Sequence, residues 1–81
     1  MTKEMALAIL KEEKLYHYNW NEEHEKRENE VAIKFEKNNF IVYVTDERAN
    51  IVTNSITSFF SEEDALDNFI KRVRTEKILF K

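Results

Sequence analysis

His17 and His24 are the residues best suited to metal or acid–base chemistry, and three carboxylates, Glu22, Glu23 and Glu25, flank the second of them. A metal site needs ligands at a spacing that the fold can bring together. The separation of seven positions between the histidines matches no zinc motif. We therefore expect two solvated histidines and no metal site.

Asp46 and Glu47 are the residue types of a general acid–base pair. Adjacent side chains in a connection between strands usually point apart, and no nucleophile or oxyanion donor stands at a recognisable spacing from them. A serine nucleophile would need a positioned base, and neither histidine offers one. The pair is better interpreted as a charged turn, so we expect no catalytic residues.

The 81-residue chain contains no Cys, Gly or Pro. Without Cys there is no disulfide and no thiolate zinc site. Without Gly, the phosphate-binding loops and nucleophile elbows of many enzymes are excluded, because they need backbone conformations that Gly adopts most easily. The composition predicts a protein that is not an enzyme and needs no cofactor.

The formal net charge of −3 argues against nucleic acid or an anionic membrane as a partner, since such binding normally shows as a basic domain. No stretch approaches the ~20 apolar residues of a membrane span. The apolar run Met5–Leu10 is shorter than a signal peptide requires. We expect one domain over residues 1–81, located in the cytoplasm, and leave its oligomeric state open.

Hydrophobic periodicity divides the chain into helices and strands. A helical spacing behind the N-cap Thr2 predicts a helix over residues 3–14. Alternation predicts a strand over 31–36, and β-branched and aromatic residues predict others over 40–45 and 51–59. Ser61 caps a second long helix, whose end in the segment Ile78–Phe80 stays open, and Phe60 is expected to pack on Ala65.

These elements predict an α+β fold in the order α-β-β-β-α. Short connections make the sheet antiparallel, with three strands, or four if residues 15–20 also form one. Both helices should cover one face of the sheet. The expected core comprises Leu10, Ile33, Phe35, Val42, Leu66, Phe69 and Ile70.

Double-stranded-RNA-binding domains share this element order, so the start of the last helix is informative. Such domains carry lysines there, where they meet phosphate. This chain has Glu62, Glu63 and Asp64 at that place, and RNA would be repelled.

Tyr16, Tyr18 and Trp20 concentrate three large aromatic side chains within five residues. They either pack beside the first helix or leave one or two rings exposed among charges, which is a common composition of protein-binding hot spots. On the second interpretation, the expected partner-binding residues are Tyr18, Trp20, Glu22, Glu23, Asp46, Glu47 and Arg48.

The chain resembles the small immunity proteins of bacterial polymorphic-toxin systems, most closely the immunity protein 59 family. The similar segments are residues 13–20, 26–31, 41–49, 61–65 and 67–72, of which the stretch Tyr43–Ala49 is the most distinctive. The resemblance implies a non-catalytic cytosolic inhibitor that binds and occludes a cognate toxin domain. It implies no particular binding residues.

Two other functions stay open from sequence alone. One is a phage or mobile-element accessory protein that binds a host nucleic-acid enzyme as an acidic mimic. The other is a small enzyme or metal-binding domain. A toxin gene beside this one would favour the immunity function, and a phage early region would favour the mimic.

Overall fold

A computed structural model describes residues 1–79 of the chain and has the element order α-β-β-β-β-α. The predicted α+β class is confirmed, and residues 15–20 do supply a strand. Phe80, whose place in the last helix the sequence left open, lies outside the described residues. The elements are α1 (Lys3–Glu12), β1 (Tyr18–Trp20), β2 (Val31–Glu36), β3 (Asn39–Val44), a 3-10 turn (Thr53–Ser55), β4 (Thr57–Phe59) and α2 (Glu62–Leu79).

Helix α1 begins where the sequence predicts and ends two residues earlier. The hydroxyl of Thr2 accepts a hydrogen bond from the Met5 amide at 3.2 Å and so caps the first turn. Ala6 and Leu10, one turn apart, are its buried residues. Lys14 has a φ of 53°, in the left-handed region that a helix cannot continue through.

The four strands lie in the order β1-β2-β3-β4. Strands β2 to β4 are antiparallel, as predicted, and Lys37 and Asn38 join β2 to β3 with φ of 50° and 67°. Two positive φ values define the type I′ turn, whose twist matches that of the strands.

Strand β1 differs from the other strands because it is parallel to β2, with Tyr18 opposite Val31 and Trp20 opposite Ile33. The sheet is therefore mixed. The connection over residues 21–30 is long enough to return the chain to the same end of the sheet, which a tight turn cannot do. Only three residues pair here, so no sequence periodicity reveals the direction.

One core lies between the sheet and the helices. Helix α2 contacts β2, β3 and β4, and α1 packs against α2. Both helices therefore add to the core on one face of the sheet, as predicted. The buried cluster comprises Ala6, Leu10, Leu15, Val31, Ile33, Val42, Ala65, Leu66, Phe69, Ile70 and Val73.

Three expectations about particular residues are wrong. Phe35 was placed in the core, but 57% of its surface is exposed because it lies near the end of β2, past the part of the sheet that α2 covers. Phe60 is 93% exposed and does not pack on the buried Ala65. Of the strand predicted over 51–59, only residues 57–59 pair as a strand.

The side chain of Ser55 explains the shortened strand. Its hydroxyl accepts a hydrogen bond from the Val44 amide at 2.9 Å and donates one to the Val52 carbonyl at 2.6 Å. Such local side-chain bonds compete with a strand ladder. Ile51 retains a single bridge to Thr45, and the chain then forms the 3-10 turn.

Candidate protein-binding site

The structure distributes the seven predicted partner-binding residues between two ends of the sheet. Asp46 lies beside the start of β2, where its carbonyl accepts a hydrogen bond from the Asn29 amide at 3.0 Å. Glu22 lies toward the other end, where its carboxylate pairs with Lys34 at 3.3 Å. Lys34 is five positions beyond Asn29 along the chain, so these two points are at most about 17 Å apart.

At the first end, residues from three segments line a cleft of about 690 Å³, which we call the polar cleft. Tyr16 on its rim is 75% exposed. The sequence-predicted turn contributes Glu47 and Arg48, both exposed. The structure thus brings this turn close to Tyr16 and His17. The cleft is lined by Tyr16, His17, Arg27, Glu28, Glu30, Glu47, Arg48 and Ala49.

Asp46 organises the turn that carries these charges. Its Oδ1 accepts hydrogen bonds from the Arg48 amide at 2.8 Å and the Asn50 amide at 3.0 Å. These two backbone bonds hold the pKa of Asp46 below its ordinary value. The carboxylate is therefore engaged by its own turn, while Glu47 and Arg48 point outward.

Ala49 in the same turn has a φ of 63°. For a residue with a Cβ, the left-handed region costs about 1–2 kcal/mol relative to the right-handed one. Gly would occupy this position without strain, but the chain has none. The fold thus holds a strained turn at the edge of the polar cleft, and such strain is frequent at binding surfaces.

Tyr18 and Trp20 pack against the core. Each ring meets the ring of Phe69 edge to face, with centroids 6.2 Å and 5.6 Å away respectively. Both side chains are half-buried. Tyr18 and Trp20 therefore follow the first of the two interpretations of the aromatic segment, in which the rings pack on the protein. Tyr16 is the exposed ring of this segment.

The side chain of Asn19 points to the opposite face of the sheet from its neighbours in β1 and fixes the crossover over residues 21–30. Its Nδ2 donates to the His24 carbonyl at 2.9 Å, and its Oδ1 accepts from the His24 amide at 3.4 Å. The His24 ring nitrogens lie 2.7 Å from the Glu25 carbonyl and 3.2 Å from the Tyr18 carbonyl.

The expectation of two solvated histidines is therefore wrong. His24 holds the crossover, and His17 is also half-buried. The sequence gives no sign of this, because the contacts of His24 arise from the return of the crossover to β1. Within residues 1–79, no three His, Asp or Glu side chains come together in a group that could hold a metal ion.

Glu30 is a buried carboxylate next to this network. Its residue is only 5% exposed, its Oε2 lies 3.6 Å from Nε2 of His24, and its Oε1 makes no hydrogen bond within the described chain. Burial raises the pKa of Glu30, and its neighbours His24, Arg27 and His17 oppose that shift. Burial likewise raises the pKa of Glu76, and the neighbouring His17 opposes that shift.

At the second end, a groove of about 350 Å³ opens between the sheet and the starts of both helices; we call it the aromatic groove. The rings of Phe35 and Phe40 lie on its wall with centroids 5.0 Å apart. Sequence alternation does not reveal this surface, because it assigns Phe35 to the core. The lining residues are Lys3, Trp20, Asn21, Ile33, Lys34, Phe35, Phe40, Glu62 and Leu66.

Lys34 links the predicted residue Glu22 to the rim of the aromatic groove. Its Nζ lies 3.2 Å from Glu36 and 3.3 Å from Glu22, and 5.9 Å from the ring centroid of Tyr43. These carboxylates, Glu36 first, raise the pKa of Lys34. Glu23 is exposed beside Glu22.

The fold and the two surfaces define a class: a small α+β domain with exposed charged and aromatic residues. No helix within residues 1–79 has the length and apolar character needed to cross a bilayer. A family model for Immunity protein 59 matches residues 3–79, nearly the whole chain. The chain belongs to the Immunity protein 59 family, as its sequence resemblance indicated. No curated protein and no solved structure matches it significantly.

Proposed function

We propose that this chain binds a cognate bacterial toxin domain and neutralises it by covering the surface that the toxin needs. The observation that carries the proposal is the match of the Immunity protein 59 model to residues 3–79. The chain acts as a binding protein in the cytoplasm and is not an enzyme. Neither a cofactor nor nucleic acid takes part.

The distribution of charge supports a protein partner. Glu47 and Arg48 protrude from a turn whose shape Asp46 fixes, so they are presented without a large loss of side-chain and loop entropy on binding. Glu22 and Glu23 follow β1 at the other end of the sheet. Exposed carboxylates of this kind accelerate encounter with a basic partner, which matters for an inhibitor that must act quickly.

The seven predicted residues take two roles in this proposal. Glu22, Glu23, Glu47 and Arg48 contact or steer the toxin. The other three residues position these contacts. The rings of Tyr18 and Trp20 do so by packing on Phe69. The carboxylate of Asp46 does so by accepting hydrogen bonds from the backbone of its own turn.

Co-expression with a candidate toxin domain from the genome that encodes this chain tests this function. The wild-type chain is expected to restore growth, and the double variant Glu22→Lys/Glu47→Lys to restore it less. The matched control is Glu4→Lys/Glu12→Lys, which also reverses two exposed carboxylates but on α1. Growth arrest that the wild-type chain does not relieve would contradict the function. Equal protection by all variants would show that Glu22 and Glu47 are not part of the contact, and would leave the proposed function itself standing.

A further inference from the structure

We propose that the outer edge of β4 pairs with β4 of a second copy of this chain, antiparallel and around a two-fold axis at Ser58. The pairing is independent of the proposed function, because it concerns how two copies of the chain meet and not which toxin they bind. Three features carry it: the backbone groups that β4 leaves open, the exposed side chains beside them, and the lack of charge along this segment.

The hydrogen bonds of β3 show which backbone groups of β4 are open. Thr45, directly after β3, donates its amide to the Glu30 carbonyl at 2.8 Å, on the β2 side. Bonds alternate between the two sides along an antiparallel strand, so the even-numbered residues of β3 bond toward β4. There they lie opposite Thr57 and Phe59. Ser58, between these two, therefore directs its amide and carbonyl away from β3, toward the outer edge of the sheet.

The residues on either side of β4 extend this open edge. A trans peptide places its carbonyl and its amide on opposite sides of the chain, and all described peptides are trans. The Ile56 carbonyl and the Phe60 amide therefore point outward together with both backbone groups of Ser58. Within residues 1–79 the sheet ends at β4. The edge thus offers acceptors and donors at the spacing that an antiparallel strand requires.

The other edge of the sheet is closed by its own chain. On the outer side of β1, the Trp20 carbonyl accepts a hydrogen bond from the Glu23 amide at 3.1 Å. The Tyr18 carbonyl lies 3.2 Å from a ring nitrogen of His24. In the described part of the chain, no loop bonds to the amide or carbonyl of Ser58 in this way. The edge of β4 is therefore the one available for a further strand.

A two-fold axis at Ser58 matches the edge to itself. Ser58 exchanges both of its hydrogen bonds with its counterpart, and the Phe60 amide meets the Ile56 carbonyl of the other copy. The side chains of Ile56 and Phe60 are 47% and 93% exposed. Residues directly opposite in an antiparallel pair lie in contact, and an aromatic residue facing a β-branched one is favourable. Each exposed Phe60 is thus covered by an Ile56.

The lack of charge favours a second copy as the occupant. Residues 49–61 are the longest stretch without a charged side chain, in a chain of which 36% of residues are charged. Close to a two-fold axis a charged residue would face the same charge, which opposes pairing. Edge strands that stay unpaired commonly carry charges for this reason. Glu62 and its counterpart lie at opposite ends of the paired strands, because the two strands run in opposite directions.

Sedimentation velocity of the purified chain over a range of concentrations tests the pairing. We expect a monomer–dimer equilibrium with a dissociation constant between about 10 µM and 1 mM, because a short edge buries less surface than a standard interface. Phe60→Ala is expected to weaken the dimer about tenfold or more, since both copies lose this contact. The matched control Phe35→Ala removes another exposed phenylalanine, on β2, and should change the constant less than about twofold.

Hydrogen exchange measured by NMR at low and high protein concentration reports the register without any substitution. The Ser58 and Phe60 amides should exchange about tenfold more slowly in the dimer, while the Thr57 amide, which already bonds to β3, changes little. A chain that stays monomeric at about 1 mM would overturn the pairing. So would a dimer that Phe60→Ala leaves intact, or a dimer in which the Ser58 amide exchanges as fast as in the monomer. Protection of Ser58 that appears only when a toxin domain is added would assign the edge to the toxin and also overturn it.

Discussion

Replacing Trp20 by Ala distinguishes an aromatic side chain that supports the fold from one that serves only as a contact. Its ring is half-buried and meets Phe69 at 5.6 Å. A tryptophan side chain that buries about half of its surface removes roughly 120 Å² from water, worth about 3 kcal/mol. The edge-to-face pair adds about 0.5–1.5 kcal/mol. We therefore expect Trp20→Ala to lower the free energy of unfolding by about 4 kcal/mol.

Urea denaturation followed by circular dichroism measures this loss. Tyr16→Ala is the matched control, because that ring is 75% exposed and its removal should change stability by less than about 0.5 kcal/mol. For a domain of this size, about 4 kcal/mol is a large share of the total stability. A loss below 1 kcal/mol for Trp20→Ala, equal to that of the control, would refute the packing role.

Three further substitutions test the fold around the two surfaces. Ala49→Gly should raise the free energy of unfolding by about 1 kcal/mol in urea denaturation, because Gly adopts a φ of 63° without strain; a loss would contradict the strained turn. Ile70→Ala should cost about 2–5 kcal/mol, and an unchanged thermal melt would refute its place in the core. Burial raises the pKa of Glu30, so its stabilising contribution is present below the unfolded-state pKa and is lost as the pH rises through the folded-state pKa. Glu30→Gln should therefore gain stability relative to wild type as the pH rises above the ordinary pKa of a glutamate, and a difference that does not vary with pH would contradict this.

Local patterns were sufficient for the helices and the central hairpin. The alternation over residues 31–36 and the β-branched residues that follow predicted β2 and β3, because these signals depend on each strand alone. The cap at Thr2 likewise marked the start of α1. Of the predicted core, Leu10, Ile33, Val42, Leu66, Phe69 and Ile70 are buried.

Structural features that depend on distant parts of the chain could not be predicted from local sequence patterns. Alternation placed Phe35 on the correct face of β2, but it says nothing about where α2 begins above that face. The parallel direction of β1 is set by how residues 21–30 return, and the place of His24 follows from that path. The aromatic groove forms where these non-local features meet, and Trp20 is the one predicted partner-binding residue among those that line it.

The most direct test of the central claim is a titration of the toxin's own activity. A toxin domain whose growth arrest the chain relieves on co-expression is held at a fixed concentration, and the purified chain is added in increasing amounts. We expect activity to fall with the fraction of toxin bound and to reach background at saturation. Toxin activity that persists at saturating chain, or the absence of a complex at micromolar concentrations, would contradict neutralisation by occlusion.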